Sequence, residues 1–342
     1  MNSSLFLSAL LACCNGARKE NPAAERSFYY WKSVFSLTAY EERMLDSLKV
    51  SAIYLKLFDA DWNPVLQAPQ PSAQLKATES SKHFFQNKRF SIIPVVFITN
   101  ECIRNIDSSR ISSFAQNIIL LIEQISVANN FTDIPEWQMD CDWTVSTREK
   151  YFRLLEIIRS HTQQKKIKLS ATIRLHQLKY SGKTGVPPVD KGLLMCYNMG
   201  NLKNPAVKNS ILEAEEMKKY ISSLKHYSLA LDVALPLFDW FVWFRNNSYH
   251  GLIHTASLPG SFQRRAKTKF EKDSTVNNIS FLKDDWLRYE NSTYSELEKA
   301  LGLISRNSSS RNFSRIALYH LDSLTLSKYQ FHELENIFNM LH

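Results

Sequence analysis

Two aspartates stand two residues apart in the run Trp137-Gln138-Met139-Asp140-Cys141-Asp142-Trp143-Thr144. In an extended strand, rising about 3.3 Å per residue, Asp140 and Asp142 leave the same face roughly 7 Å apart. Like charges at that spacing raise the pKa of one carboxyl unless a cation compensates them. A raised carboxyl suits a general acid, whereas a compensated one suits binding or structure. The bland alternative is a polar strand end. A second run, 167–176, carries Leu169, Ala171, Ile173 and Leu175 on one face and Ser170, Thr172, Arg174 and His176 on the other. Two strands thus send ionisable groups towards one place.

Other carboxylates fall at the ends of strand-like runs: Asp59 and Asp61 in LFDADWNP, Asp239 ahead of Trp240, and Asp322. Glu290, in WLRYE, joins them if its loop folds over the same place. Glycoside hydrolysis needs two carboxyl groups, or one assisted by the substrate, in an aromatic cleft. Trp62, Trp143, Trp240 and Trp243 flank the strand ends and either stack on sugar rings or pack as core. Arg174 and His176 read as contacts to a sugar hydroxyl or an anionic sugar, with a salt bridge from Arg174 to the aspartates as the alternative. Tyr197 and Asn198 are ligand contacts or loop hydrogen bonds.

Other chemistries find less support. The nine histidines contain no HxH or HExxH, so no metal centre is expected. With 8 glycines and neither GxGxxG nor GxxxxGK[ST], no nucleotide cofactor is expected. There is no GxSxG nucleophile elbow. The formal charge is +9, but Lys and Arg are dispersed rather than striped, which excludes nucleic acid as the expected partner. Cys102, Cys141 and Cys196 are widely spaced and read as buried free thiols.

The elements that must position these residues follow from periodicity. Eight apolar strand-like runs cover 28–31, 52–58, 92–98, 136–142, 167–175, 193–198, 229–237 and 315–321. Amphipathic stretches at 40–48, 111–128, 147–161, 211–224 and 293–304 fall between them, and 329–341 closes the chain. Eight such units predict an α/β fold, a single-domain (β/α)8 TIM-type barrel over 27–342. The long polar interval at about 248–285 predicts an insertion before the last helix-strand unit.

The first 26 residues are set apart from the fold. Leu5 to Ala12 is apolar but too short to span a bilayer, which takes about 20 residues. Leu10-Leu11-Ala12-Cys13 resembles the lipobox of bacterial lipoproteins, although no Lys or Arg precedes it. That resemblance implies lipidation at Cys13 and a membrane-anchored place in the bacterial cell envelope, periplasmic or at the cell surface.

The site runs carry a family resemblance as well. A fourth strand with Asp140-x-Asp142-x-Thr144, and a sixth run with Met195-Cys196-Tyr197-Asn198, resemble the chitinase-like family 18 glycoside hydrolases. Their fourth strand reads D-x-x-D-x-D-x-E and their sixth M-x-Y-[DN]. The resemblance implies that Asp142 orients a substrate acetamido group and that Tyr197 hydrogen-bonds it. It places Thr144 where the family has its general-acid glutamate, and threonine cannot protonate a leaving group. The segments FYYWKSVF, IRLHQLKY, GVPPVDKGLLMCYNMG and DVALPLFDW are also similar to a group of Bacteroidota lipoproteins, implying barrel and envelope but no settled activity. The expected function is a glycoside hydrolase-like, carbohydrate-active barrel acting on an envelope or environmental glycan. The alternative is a non-catalytic glycan-binding scaffold.

Overall fold

The computed structural model describes residues 24–86, 89–308 and 313–341. Eight parallel strands form the barrel: Glu25–Tyr30, Ala52–Asn63, Ser91–Ile98, Glu136–Asp140, Lys168–Arg174, Lys191–Met195, Leu231–Pro236 and Arg315–Tyr319. The first strand pairs with both the second and the eighth, which closes the sheet as the eight runs predict.

Alternation along the strands sorts side chains between two cores. Trp137 and Met139, with Leu169, Ala171 and Ile173, face outward into the shell under the helices. Gln138, Asp140, Ser170 and Thr172 face inward and are buried. Large and small residues share the barrel interior. Tyr29 stacks on Tyr54 with ring centroids 4.8 Å apart, and Ala52, Ala234 and Ala317 leave the room.

The helices cover this shell with apolar stripes at three- and four-residue spacing. Ile111–Ala128 buries Ile111, Phe114, Ala115, Ile118, Ile119, Ile122 and Ile125. Arg148–Gln164 buries Tyr151, Leu154, Leu155 and Ile158. The helix Ala39–Ser47 starts at a reciprocal cap: Thr38 accepts from the Glu41 amide, and the Glu41 carboxylate accepts from the Thr38 amide at 2.7 Å.

Several boundaries differ from the sequence reading, and each difference moves a candidate residue. The fourth strand stops at Asp140, so Asp142 lies beyond the pleat. The fifth stops at Arg174, where the chain turns into the short helix Leu175–Lys179, and His176 leaves the strand face. The sixth ends at Met195, placing Tyr197 and Asn198 on the loop that follows. The second strand runs on past a register shift at Lys56/Phe58 and folds back as an antiparallel hairpin over Ala68–Ser72. After the seventh strand, a four-stranded antiparallel sheet is built from Asp239–Arg245, Ser248–His254, Lys267–Lys269 and Trp286–Asn291. Glu290 sits in the last of these strands rather than on a loop.

At the N-terminal end of the barrel, buried charges take the place of an apolar plug. Arg315 reaches Glu136 at 2.9 Å, Glu25 at 2.6 Å and the Tyr54 hydroxyl at 3.0 Å. Lys191 bridges Glu136 at 3.0 Å and Asp232 at 2.6 Å.

Candidate functional site

The C-terminal ends of the strands open into a cleft of about 690 Å³. That is the size of a small-molecule site, and this end of such barrels is where sites are built. Its floor comes from the barrel: Trp31, Phe97, Asp140, Arg174, Tyr197 and Tyr319. One wall is the inserted sheet, through Phe238 to Trp240 and Leu252 to Ala256; the other is the segment from His320 to Lys328.

Asp140 is the carboxyl at the centre. Only 2% exposed, it accepts from the Thr172 hydroxyl at 2.6 Å. Burial pushes it up to about 6, Arg174 pulls it back, and Asp142 adds to the rise. Asp142 is placed differently. Its side chain is half exposed and does not line the cleft; Arg174 holds it through Nε, and through Nη2 at 3.2 Å. The salt bridge kept open as an alternative for Arg174 therefore forms, to Asp142 alone of the two aspartates.

Three residues that line this cleft carry a buried polar atom with no hydrogen-bond partner among the described residues: Arg174 Nη1, Tyr197 Oη and His320 Nδ1. The Arg174 guanidinium stands 6.0 Å from the Tyr197 ring centroid. Burial raises the Tyr197 phenol well above its ordinary value and lowers the His320 imidazole, so both are neutral near pH 7. Asn198 lines the cleft in the left-handed region, with φ of 54°.

The remaining candidates divide sharply. Asp239 lines the cleft and is fully engaged, accepting from Tyr289 Oη at 2.7 Å and Thr255 Oγ1 at 2.8 Å and pairing with Lys328. Asp322 also lines it, paired with Lys32 at 2.6 Å and capping the turn Ser323–Leu326. Trp240 lines it with its indole NH donated to Glu290 at 2.7 Å. Glu290 is buried behind that tryptophan, held by Arg288 at 2.7 Å and Ser210 at 2.5 Å. Asp59 pairs with Lys56 at 2.9 Å, Asp61 bonds Ser72, and His176 is exposed; none of the three lines the cleft. Trp143 is buried against Tyr151, Trp62 packs on the outer core, and Trp243 bonds Asp285 within the inserted sheet. Cys13 lies outside the described residues. No group of three or more His, Cys, Asp or Glu among the described residues is arranged to hold a metal.

Sequence reasoning passed over Trp31, Tyr319 and His320. The available signal was their place at the mouth end of the first and eighth runs, but an aromatic there looks the same as core. Thr144 sits in an exposed turn, its amide donating to Thr147 Oγ1 at 2.9 Å and its hydroxyl bonded to Ser146 at 2.9 Å.

No family model matches the chain, and no curated protein matches its sequence. Solved structures do match. A chitinase from Chromobacterium violaceum ATCC 12472 superposes with a TM-score of 0.57 at 9% identity, covering 93% of this chain and 98% of that one. The Bacillus cereus spore cortex-lytic enzyme SleL gives 0.55 at 13% identity, over 93% of this chain and 74% of the other. A mutant class V chitinase from Nicotiana tobaccum, in complex with NAG4, gives 0.51 at 11% identity, over 92% and 98%. The fold is that of the chitinase-like (β/α)8 barrels. At these identities the likeness is one of fold, and the chemistry rests on the residues in the cleft.

Proposed function

We propose that this protein binds a glycan in the mouth cleft and does not hydrolyse it by the family 18 route. One observation carries the reading. Thr144, which the resemblance sets at the general-acid position, is exposed and bonded within its own turn, and the nearby Asp142 is held outside the cleft by Arg174. The size of the cleft, its aromatic floor and its unpartnered polar atoms support a sugar-sized ligand. Proteins of the same fold that carry the name chitinase, one of them holding NAG4, make carbohydrate the ligand class to test first.

Isothermal titration against chitooligosaccharides, peptidoglycan fragments and plant or host glycans, paired with a product assay, tests this. Binding without turnover is expected. Thr144→Glu is expected to bind as before and still release no product, because the new carboxyl enters an exposed turn rather than the cleft. Turnover by either protein would overturn the non-catalytic reading.

A second reading follows from Asp140. A buried carboxyl at about 6, facing the cleft, has the acidity of a general acid near neutral pH. Turnover by the wild type that is lost in Asp140→Asn would establish it.

For location we propose a lipid anchor at Cys13 and a place in the bacterial cell envelope, on the strength of the segment LLAC alone. Cys13→Ser is expected to abolish incorporation of a radiolabelled fatty acid and release the protein from the membrane fraction. Unchanged labelling would remove Cys13 as the anchor.

A further inference from the structure

The polar groups facing the cleft separate by what they still offer. Its carboxylates are engaged: Asp239 by Tyr289, Thr255 and Lys328, Asp322 by Lys32 and two backbone amides, Asp140 by Thr172. What remains unpaired lies on the other side of the account. Arg174 Nη1 can only donate, Tyr197, whose proton is held by burial, has a hydroxyl to give, and His320 Nδ1 donates or accepts according to its tautomer. A buried donor left without an acceptor is unfavourable, so two of them on residues that line one cavity point to the ligand group that belongs there. It must be rich in acceptor oxygens.

Resting on the glycan reading above, we propose that the inner end of the cleft takes the carboxylate of an acidic sugar, with Arg174 Nη1 and Tyr197 Oη donating to its two oxygens. An acetamido carbonyl presents one oxygen, whereas a carboxylate presents two and makes charge-assisted bonds roughly twice as strong. The chain's formal charge of +9 favours approach of an anionic glycan.

The charge already in the site decides how the carboxylate is accommodated. Arg174 is neutralised by Asp142. The charged and titratable groups around Asp140 are Arg174, Asp142, Asp59 paired with Lys56, and the inner phenols of Tyr29, Tyr197 and Tyr319, while Tyr151 and the Cys141 thiol lie in the outer core behind the strand. A bound carboxylate beside an ionised Asp140 would set like charges against each other. The acidic sugar therefore binds to the form in which Asp140 carries its proton. With that carboxyl at about 6 in the free protein, the competent fraction falls about 25-fold between pH 5.5 and 7.5. A sugar carboxyl, near 3 to 4, stays ionised throughout.

The test is calorimetric. Trigalacturonate, a hyaluronan tetrasaccharide and the disaccharide of N-acetylglucosamine and N-acetylmuramic acid are each titrated beside their methyl esters, with chitotetraose as a neutral reference. At pH 5.5 at least one acid is expected to bind tenfold or more tighter than its ester. That affinity is expected to fall about 25-fold by pH 7.5, while the ester and chitotetraose hold steady. Tyr197→Phe, which leaves the Arg174–Asp142 pair intact, is expected to erase most of the preference for the acid. If esters or chitotetraose bind as tightly as the acids, the carboxylate assignment is overturned and glycan binding stands. If no sugar of either class binds, the glycan reading fails and takes this one with it.

Discussion

Replacing Arg315 with methionine is expected to lower the unfolding free energy by about 3–5 kcal/mol, the range for removing one partner of a buried ion pair. The eighth strand begins with this residue, and its guanidinium lies inside the barrel against Glu136, Glu25 and the Tyr54 hydroxyl. Glu136 is 2% exposed, and its second oxygen, Oε1, has no partner among the described residues. Without Arg315 it keeps only Lys191, which Asp232 shares. Methionine retains the aliphatic bulk but leaves that charge uncompensated. Urea unfolding measures the loss as a fall in midpoint at constant slope. Arg315→Met combined with Glu136→Gln is expected to recover part of it, since the stranded charge is then gone. Glu25 marks the contrast: its side chain is 54% exposed, so Glu25→Gln should cost under about 1 kcal/mol. A loss below that figure for Arg315→Met would mean that the network does not stabilise the fold.

What the sequence made legible was set by local periodicity. Strands buried on both faces still alternate, because the barrel interior is tight and partly polar while the shell is uniformly apolar. Gln138 with Asp140, and Ser170 with Thr172, therefore announced their face correctly. The same rule misplaced Asp142 and His176, because a period of two holds only while the pleat lasts. Each lies two residues beyond the last residue of its strand, Asp140 or Arg174. Asp142 then answers to the Arg174 guanidinium rather than to the pleat, and His176 answers to a helix.

The insertion showed as a long polar interval, but its extent back to Asp239 and on to Asn291, and its role as a wall, were illegible for another reason. Trp240 and Glu290 meet across 50 positions, and Ser210 reaches Glu290 across 80. No local pattern encodes a pairing of that range. Lining the cleft and supporting the residue that lines it, as Trp240 and Glu290 do, cannot be told apart before the sheet is known.

Asp140→Asn is expected to stabilise the protein by about 2 kcal/mol at pH 7.5 and to change little at pH 4. The folded carboxyl at about 6 lies above its ordinary value of 3.8, and that difference amounts to about 3 kcal/mol. Below pH 4 both folded and unfolded chains hold the proton, and Asp140 adds no penalty. Between 4 and 6 the unfolded chain loses its proton first, so stability falls as pH rises through that window and levels off above it. Asparagine resembles the protonated acid and still accepts from Thr172, but its NH2 group needs an acceptor, which trims the gain. Urea midpoints at pH 4, 6 and 7.5 follow the divergence of the two proteins. The same substitution removes the titrating group, so binding of an acidic sugar should become flat between pH 5.5 and 7.5. If the variant were no more stable than the wild type at pH 7.5, the carboxyl would carry no cost there. A buried carboxyl that weakens the fold and lines the cleft is a candidate for function rather than for packing, since packing alone would favour the amide.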